Sequence, residues 1–101
     1  MARFEWDESK AKSNERKHGV HFHDAVKAFS DPFALTEQDR ELEGEIRWQT
    51  LGLVGSVVLL LVAHTADEEA NDEAIRIISA RRANLQERKR YDENRESCFP
   101  G

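Results

Sequence analysis

Positive charge is concentrated in one stretch of this sequence, from Ala74 to Tyr91. It contains six cations within fifteen residues: Arg76, Arg81, Arg82, Arg88, Lys89 and Arg90. Lysine and arginine side chains bind phosphates and carboxylates, and arginine can bind either group through two parallel hydrogen bonds. The stretch therefore predicts a surface that binds an anion, which could be RNA or a negatively charged protein.

Three residues upstream of this stretch could take part in acid–base chemistry. Glu45 and Arg47 are two positions apart in a segment that alternates like a strand, so their side chains would point to the same side. His64 follows the most apolar run, where its imidazole could leave the core and act as an acid or base. Two plainer interpretations stay open. Glu45 and Arg47 could form only a surface ion pair, and His64 could be a half-buried histidine bonded to a neighbour.

Length and composition predict a single small domain. The chain has 101 residues, 39% of them apolar, which is enough for one modest core. We expect residues 1–92 to form that domain and residues 93–101 to form a flexible tail with little to bury. The net charge of −5 argues against a general nucleic-acid-binding protein, because phosphate binding depends on an excess of lysine and arginine.

The sequence also predicts a cytoplasmic protein without a metal or another cofactor. Its longest apolar run, residues 57–63, is far shorter than the roughly 20 residues that span a bilayer, and its N-terminus is charged. Cys98 is the single cysteine, so no internal disulfide can form. His18, His21 and His23 lie close together but lack the fixed spacing and the further ligands of a zinc site.

Two helices are predicted near the N-terminus. Asp7 is a good N-cap for a surface helix of about ten residues, which Gly19 would end. A second helix with one buried stripe is indicated by apolar residues at helical spacing, namely Phe22, Ala25, Val26 and Phe29. Asp31 and Pro32 would stop this second helix. Before both helices, residues 4–6 could form a short edge strand or only an ordered lead-in.

The next part of the chain predicts an antiparallel sheet of three to four strands. Residues 33–36 could form a first strand, followed by a polar loop over residues 37–44. Residues 45–51 alternate between polar and apolar side chains, as in a strand with one wet and one dry face. Residues 57–65 are almost continuously apolar and predict a central strand that is covered on both faces.

A last strand and a C-terminal helix complete the predicted sheet. Residues 67–73 would form a charged loop, and the β-branched isoleucines that follow predict a buried strand over residues 74–79. Ser79 could then cap a helix that ends near Tyr91. In this arrangement Arg81 opens the helix, where free backbone N–H groups would add to its attraction for phosphate.

Several of these stretches resemble one family. FEWDESKAKSNERKHGVHFHDAVKAFSDP, EIRWQTLG and IRIISARRANLQERKRY are similar to the BrnT toxins of bacterial type II toxin–antitoxin systems, also known as DUF497, over about residues 4–91. The resemblance implies an α+β, RelE-like ribonuclease fold with two N-terminal helices, an antiparallel sheet and a C-terminal helix. It also implies a BrnA-like antitoxin, whose ribbon-helix-helix domain binds operator DNA, in a heterotetramer. RNA would be the substrate, DNA would be contacted only through the antitoxin, and no membrane would be involved.

Cleavage of RNA without a metal needs three kinds of group. A base takes the proton from the ribose 2′-OH, cations stabilise the charge that builds on the phosphorane, and an acid protonates the leaving 5′ oxygen. The residues expected to supply these groups are Glu45, Arg47, Arg76, Arg81 and His64. The residues expected to bind RNA are Arg82, Arg88, Lys89 and Tyr91.

The sequence departs from the family at one position on the expected active surface. Many members carry an arginine in a T-x-R pattern at the end of the central strand, whereas here Thr65 is followed by Ala66 and Asp67. The missing cation predicts weaker cleavage. The alternative interpretation is therefore a weakly active or inactive module that binds the antitoxin and represses its own operon.

Overall fold

The computed structural model describes residues 2–55, 57–69 and 72–97, and in these ranges the chain forms three helices and a five-stranded sheet. The elements are, in chain order, β1 (Ala2–Glu5), α1 (Glu8–His18), α2 (Phe22–Ala28), β2 (Leu35–Leu42), β3 (Glu45–Val54), β4 (Val58–Glu69), β5 (Asp72–Arg82) and α3 (Leu85–Ser97). The predicted α+β class, the two N-terminal helices and the C-terminal helix are confirmed. The predicted number of strands was too small.

The strands lie in the order β1-β5-β4-β3-β2, so β4 is at the centre. It pairs antiparallel with β3 on one side and with β5 on the other, which confirms the predicted central strand. The short edge strand near the N-terminus also forms, but it pairs parallel with β5. The sheet is therefore mixed rather than purely antiparallel.

Two predicted loops are strands in the structure. The polar residues 37–42 continue β2, and a turn at Glu43 and Gly44, with φ of 51° and 80°, leads into β3. Most of the charged residues 67–73 belong to β4 and β5, and positions 70–71 lie outside the described residues. Polar side chains are tolerated here because the ladder bonds engage only the backbone, and all but the first residue of β2 is exposed.

Helix α1 begins and ends as predicted. The Asp7 carboxylate accepts hydrogen bonds from the backbone N–H groups of Ser9 and Lys10, and Gly19 adopts a left-handed conformation with φ of 69°. The helix is fixed to the sheet by Asn14, which is only 6% exposed. Its side chain donates to the carbonyl oxygens of Val20 and Ala80 and accepts from Ala80 N.

The sheet is covered by α1 and α2 on one face, called the α1–α2 face, and by α3 on the other, called the α3 face. The core of the α1–α2 face includes Phe22, Ala25, Leu60, Val62 and Ile77. Helix α2 packs closely on β3 because residue 52 is glycine: a Cβ atom there would lie 2.2 Å from the Ala28 carbonyl oxygen. The core of the α3 face is smaller and consists of Leu51, Leu59, Leu61 and Tyr91.

The transition from β5 to α3 differs from the prediction. Ser79 is not a helix cap, because β5 continues to Arg82 through pairing with β4. Asn84 begins α3 instead: its carboxamide oxygen accepts from Glu87 N at 2.8 Å, and the Glu87 carboxylate accepts from Asn84 N at 2.9 Å. The helix then runs to Ser97, so the first residues of the predicted tail are helical, while residues 98–101, including Cys98, lie outside the described residues. No helix of the described ranges is long and apolar enough to cross a membrane.

Candidate functional site

Three of the predicted catalytic residues meet on the α3 face. Arg76 of β5 donates from Nη2 to both carboxylate oxygens of Glu45 on β3, each at 2.8 Å. Arg47 follows on the same side of β3, with its Nε 3.4 Å from Glu45 Oε1. Arg76 reaches across β4, where its register partner Thr65 is buried. We call Glu45, Arg47 and Arg76 the Glu45 cluster.

The Glu45 cluster is open to solvent on one side. The side chains of Glu45 and Arg76 are 38% and 45% exposed, so a dissolved polymer can reach them. The Arg47 Nε is buried and has no hydrogen bond, since the contact with Glu45 has ion-pair distance but not hydrogen-bond geometry. A carboxylate between two guanidinium groups can accept a proton while the cations bind a phosphate.

Arg81 lies on β5 and not at the start of α3, so the predicted contribution of a helix N-terminus is wrong. Its guanidinium makes two hydrogen bonds of 2.8 Å to the Glu87 carboxylate and a third to the Arg82 carbonyl oxygen. The bond to Glu87 raises the pKa of Arg81, and the same bond lowers the pKa of Glu87 despite its burial. Arg81 and Arg76 are five residues apart along β5, roughly 13 Å after allowing for the bulge. The structure therefore does not bring Arg81 into the Glu45 cluster.

His64 lies on the opposite face of the sheet. It is the register partner of Trp48, whose side chain alternates with those of Glu45 and Arg47 along β3. The imidazole is 2% exposed, and its ring packs edge-on against Phe29 at 4.9 Å between centroids. The structure does not bring His64 together with the Glu45 cluster, and the plainer interpretation of a bonded core histidine is the one observed.

Hydrogen bonds on both ring nitrogens fix the state of His64. Nδ1 lies 3.1 Å from the Thr65 carbonyl oxygen, which can only accept, so Nδ1 carries the hydrogen. Burial lowers the pKa of His64, so the ring is neutral near pH 7 and Nε2 accepts from the Thr50 hydroxyl at 2.8 Å. Thr50 in turn accepts from Thr36. The same face carries a pocket of about 830 Å³, which His64 lines with Phe4 and other residues.

Tyr91 does not contact a surface where RNA could bind, so that prediction was wrong. It is 2% exposed, and its hydroxyl donates to Asp31 Oδ2 at 2.5 Å. Asp31 also accepts from the backbone N–H groups of Phe33 and Leu53, and these bonds hold its pKa below the ordinary value although burial acts to raise it. Asp31 thus joins α3 to β3, a role that its position before Pro32 did not reveal.

The other predicted RNA-binding residues do not form one basic surface. Arg82 lines a small pocket on the α1–α2 face, whereas Arg88 and Lys89 are exposed on α3. Arg90 lies 3.3 Å from the Glu37 carboxylate. Helix α3 carries four arginine or lysine residues and four acids, so its net charge is zero.

Asp67 lies on the same side of β4 as Thr65, because the two are separated by two positions in a strand. It is therefore on the α3 face, beyond the point where Arg76 crosses the sheet. An arginine of the T-x-R pattern would direct a cation to this face. In this chain the position holds an exposed carboxylate instead.

The comparisons with known proteins agree with this fold. A family model described as "Ribonuclease toxin, BrnT, of type II toxin-antitoxin system" matches residues 6–87. The chain belongs to the BrnT family. Members of this family are ribonuclease toxins, and a type II system pairs such a toxin with an antitoxin. The matched range contains the whole Glu45 cluster.

A solved structure supports the BrnT fold. The crystal structure of the Brucella abortus ribonuclease toxin BrnT is similar, with a TM-score of 0.56 and 23% sequence identity, over 84% of this chain and 99% of that chain. No curated protein matches the chain. Within the part of this BrnT-family chain that the structure describes, no group of three or more histidine, cysteine, aspartate or glutamate side chains could hold a metal ion.

Proposed function

We propose that the protein is an endoribonuclease toxin that cuts RNA without a metal ion, and that the Glu45 cluster is its catalytic site. The observation that carries this proposal is the meeting of one carboxylate with two guanidinium groups on an open sheet face. These are the groups that attack by a ribose 2′-OH requires. Family membership supports the ribonuclease activity in general.

In the proposed reaction the scissile phosphate binds Arg76 and displaces its bond to Glu45. The freed carboxylate takes the proton from the 2′-OH, and the 2′ oxygen attacks phosphorus. Arg47 and Arg76 stabilise the charge that builds on the phosphorane. The bond from phosphorus to the 5′ oxygen breaks, and that oxygen takes a proton from water, since His64 is on the other face. The products are a 2′,3′-cyclic phosphate and a 5′-hydroxyl.

The antitoxin partner is proposed to be BrnA-like, with a ribbon-helix-helix domain that binds operator DNA, in a heterotetramer with the toxin. A large interface over the α3 face would cover the Glu45 cluster and so prevent RNA from entering. DNA would then be contacted only through the antitoxin.

A second candidate function is an antitoxin-binding module with little or no nuclease activity. Two observations favour it: Asp67 places a negative charge where many relatives carry arginine, and the cations Arg76, Arg81 and Arg90 are each paired with an acid. The module would act by helping its antitoxin to repress the operon.

Expression with and without the neighbouring reading frame tests the toxin–antitoxin proposal. We expect induction of the protein alone to arrest growth of a bacterial host, because no partner covers the catalytic face. Joint expression should restore growth, and the two products should purify together at high salt. Growth that continues when the protein is expressed alone would favour the binding module. A neighbouring product that never co-elutes would contradict both functions.

A further inference from the structure

Positive charge that the fold leaves unpaired lies on α1 rather than on α3. Helix α1 contains four arginine or lysine residues and only two glutamates. Both glutamates have other partners: Glu8 accepts from Trp6 Nε1, and Glu15 lies 3.3 Å from His21 Nδ1. In the described ranges neither Lys10 nor Lys17 forms an ion pair, unlike Arg76 and the other paired cations of the α3 face. Helix α1 is therefore the stronger attraction for an anion.

Lys10 and Lys17 border a shallow pocket between α1 and β5. The pocket has a volume of about 180 Å³, and its polar lining consists of Lys10, Ser13, Asn14, Lys17, His18 and Ser79. No carboxylate lines it. Two ammonium groups and two serine hydroxyls around one cavity can supply several hydrogen bonds to the oxygens of a phosphate. We call this the α1 pocket.

The α1 pocket is rigid and close to the proposed catalytic site. Asn14 bonds to both the N–H and the carbonyl oxygen of Ala80, so α1 is fixed beside β5. Strand β1 pairs with β5 only as far as Arg76, which leaves the next part of the β5 edge to α1. Ser79 is three residues from Arg76 along β5, or roughly 10 Å. One bound strand of nucleic acid can therefore contact both places.

We infer that the α1 pocket binds a backbone phosphate of the RNA substrate, away from the bond that is cut, through Lys10 and Lys17. This inference rests on the proposed ribonuclease function and adds a binding site to it. The phosphate contact positions the strand so that another phosphate reaches Arg76. It carries no information about base sequence, because it involves only the backbone.

A pair of matched double variants tests the α1 pocket. Lys10→Ala/Lys17→Ala removes the two pocket cations, and Lys12→Ala/Arg16→Ala removes two cations from the opposite, exposed side of the same helix. The probe is a short fluorescent RNA with 2′-O-methyl groups, which cannot be cut because it lacks the attacking hydroxyl. Its dissociation constant is measured between about 50 and 200 mM salt. Circular dichroism verifies that both variants are folded.

The expected result is a change in the salt dependence for the pocket variant alone. Each lost phosphate contact on a single strand lowers the slope of log affinity against log salt by about 0.7, so two contacts lower it by about 1.4. The dissociation constant should rise about tenfold at the lower salt concentrations. With a cleavable RNA, KM should rise by a similar factor while kcat stays unchanged.

Several results would overturn the inference. Equal effects of the two variants would show a general electrostatic attraction and no bound phosphate. If the pocket variant binds RNA normally but loses affinity for the antitoxin, the α1 pocket belongs to the protein partner. If the parent neither binds nor cuts RNA, the proposed ribonuclease function fails and the inference fails with it. A parent that cuts RNA beside an unaffected pocket variant would refute the α1 pocket alone.

Discussion

Replacement of Arg76 by alanine should lower the rate of RNA cleavage by about two to three powers of ten, since loss of one transition-state cation typically has this effect. The protein should stay folded, because the Arg76–Glu45 ion pair is half exposed and such pairs contribute at most about 1 kcal/mol to stability. The measurement is a single-turnover cleavage rate together with a thermal unfolding curve. Cleavage at the parental rate would remove Arg76 from the mechanism.

Two other variants make the Arg76 experiment specific. Lys12→Ala changes an exposed cation far from the Glu45 cluster and should leave the rate unchanged. Arg81→Ala removes the partner of the half-buried Glu87, so we expect a loss of about 1–2 kcal/mol in stability with a smaller effect on the rate. If Arg81→Ala instead abolishes cleavage in a folded protein, Arg81 is catalytic as the sequence suggested.

Replacement of Asp31 by alanine should destabilise the fold by about 4 kcal/mol. The carboxylate accepts three hydrogen bonds, from Phe33 N, Leu53 N and the Tyr91 hydroxyl, and its loss leaves these donors without a partner. It also releases α3, whose buried residue in the described range is Tyr91. Urea unfolding followed by circular dichroism measures the change. A loss below about 1 kcal/mol would show that Asp31 does not hold α3 in place.

Titration of Tyr91 gives an independent measure of the same contact. Burial, together with the bond to Asp31, raises the pKa of Tyr91 to about 12. Because the unfolded tyrosine ionises near 10, the stability that this group contributes is complete below pH 10 and is lost as pH rises to 12. Two pKa units correspond to about 3 kcal/mol. This loss should be present in the parent and absent from Tyr91→Phe. Equal pH profiles for the two proteins would contradict it.

Local sequence signals predicted much of the fold. The cap at Asp7, the helical spacing of Phe22 and Ala25, and the apolar run of the central strand each depend on neighbouring residues alone, and each is observed. The strands over residues 37–42 and 67–69 were missed because their side chains are mostly polar, although strand pairing depends on backbone bonds. Asn14 was missed for a similar reason, since its partner Ala80 is 66 residues away.

The candidate site was predicted in part, and the errors have a common physical cause. Glu45 and Arg47 share a side because alternation within one strand is local. Which face His64 occupies depends on the register between β3 and β4, which the sequence does not show. Arg81 and Arg82 were expected in a helix because Ser79 resembles a cap, but pairing with β4 extends β5 through both residues. Net positive charge in the sequence also does not reveal which cations are paired in the fold.

Analysis of the RNA ends produced by the purified protein in EDTA tests the central claim most directly. If Glu45 activates the 2′-OH and the two arginines stabilise the phosphorane, no metal takes part, and EDTA should leave the cleavage rate unchanged. The upstream fragment should then end in a 2′,3′-cyclic phosphate and the downstream fragment should begin with a 5′-hydroxyl. Cleavage that stops in EDTA and returns with Mg²⁺, or fragments that carry 3′-hydroxyl and 5′-phosphate ends, would contradict the Glu45 cluster as a metal-free catalytic site.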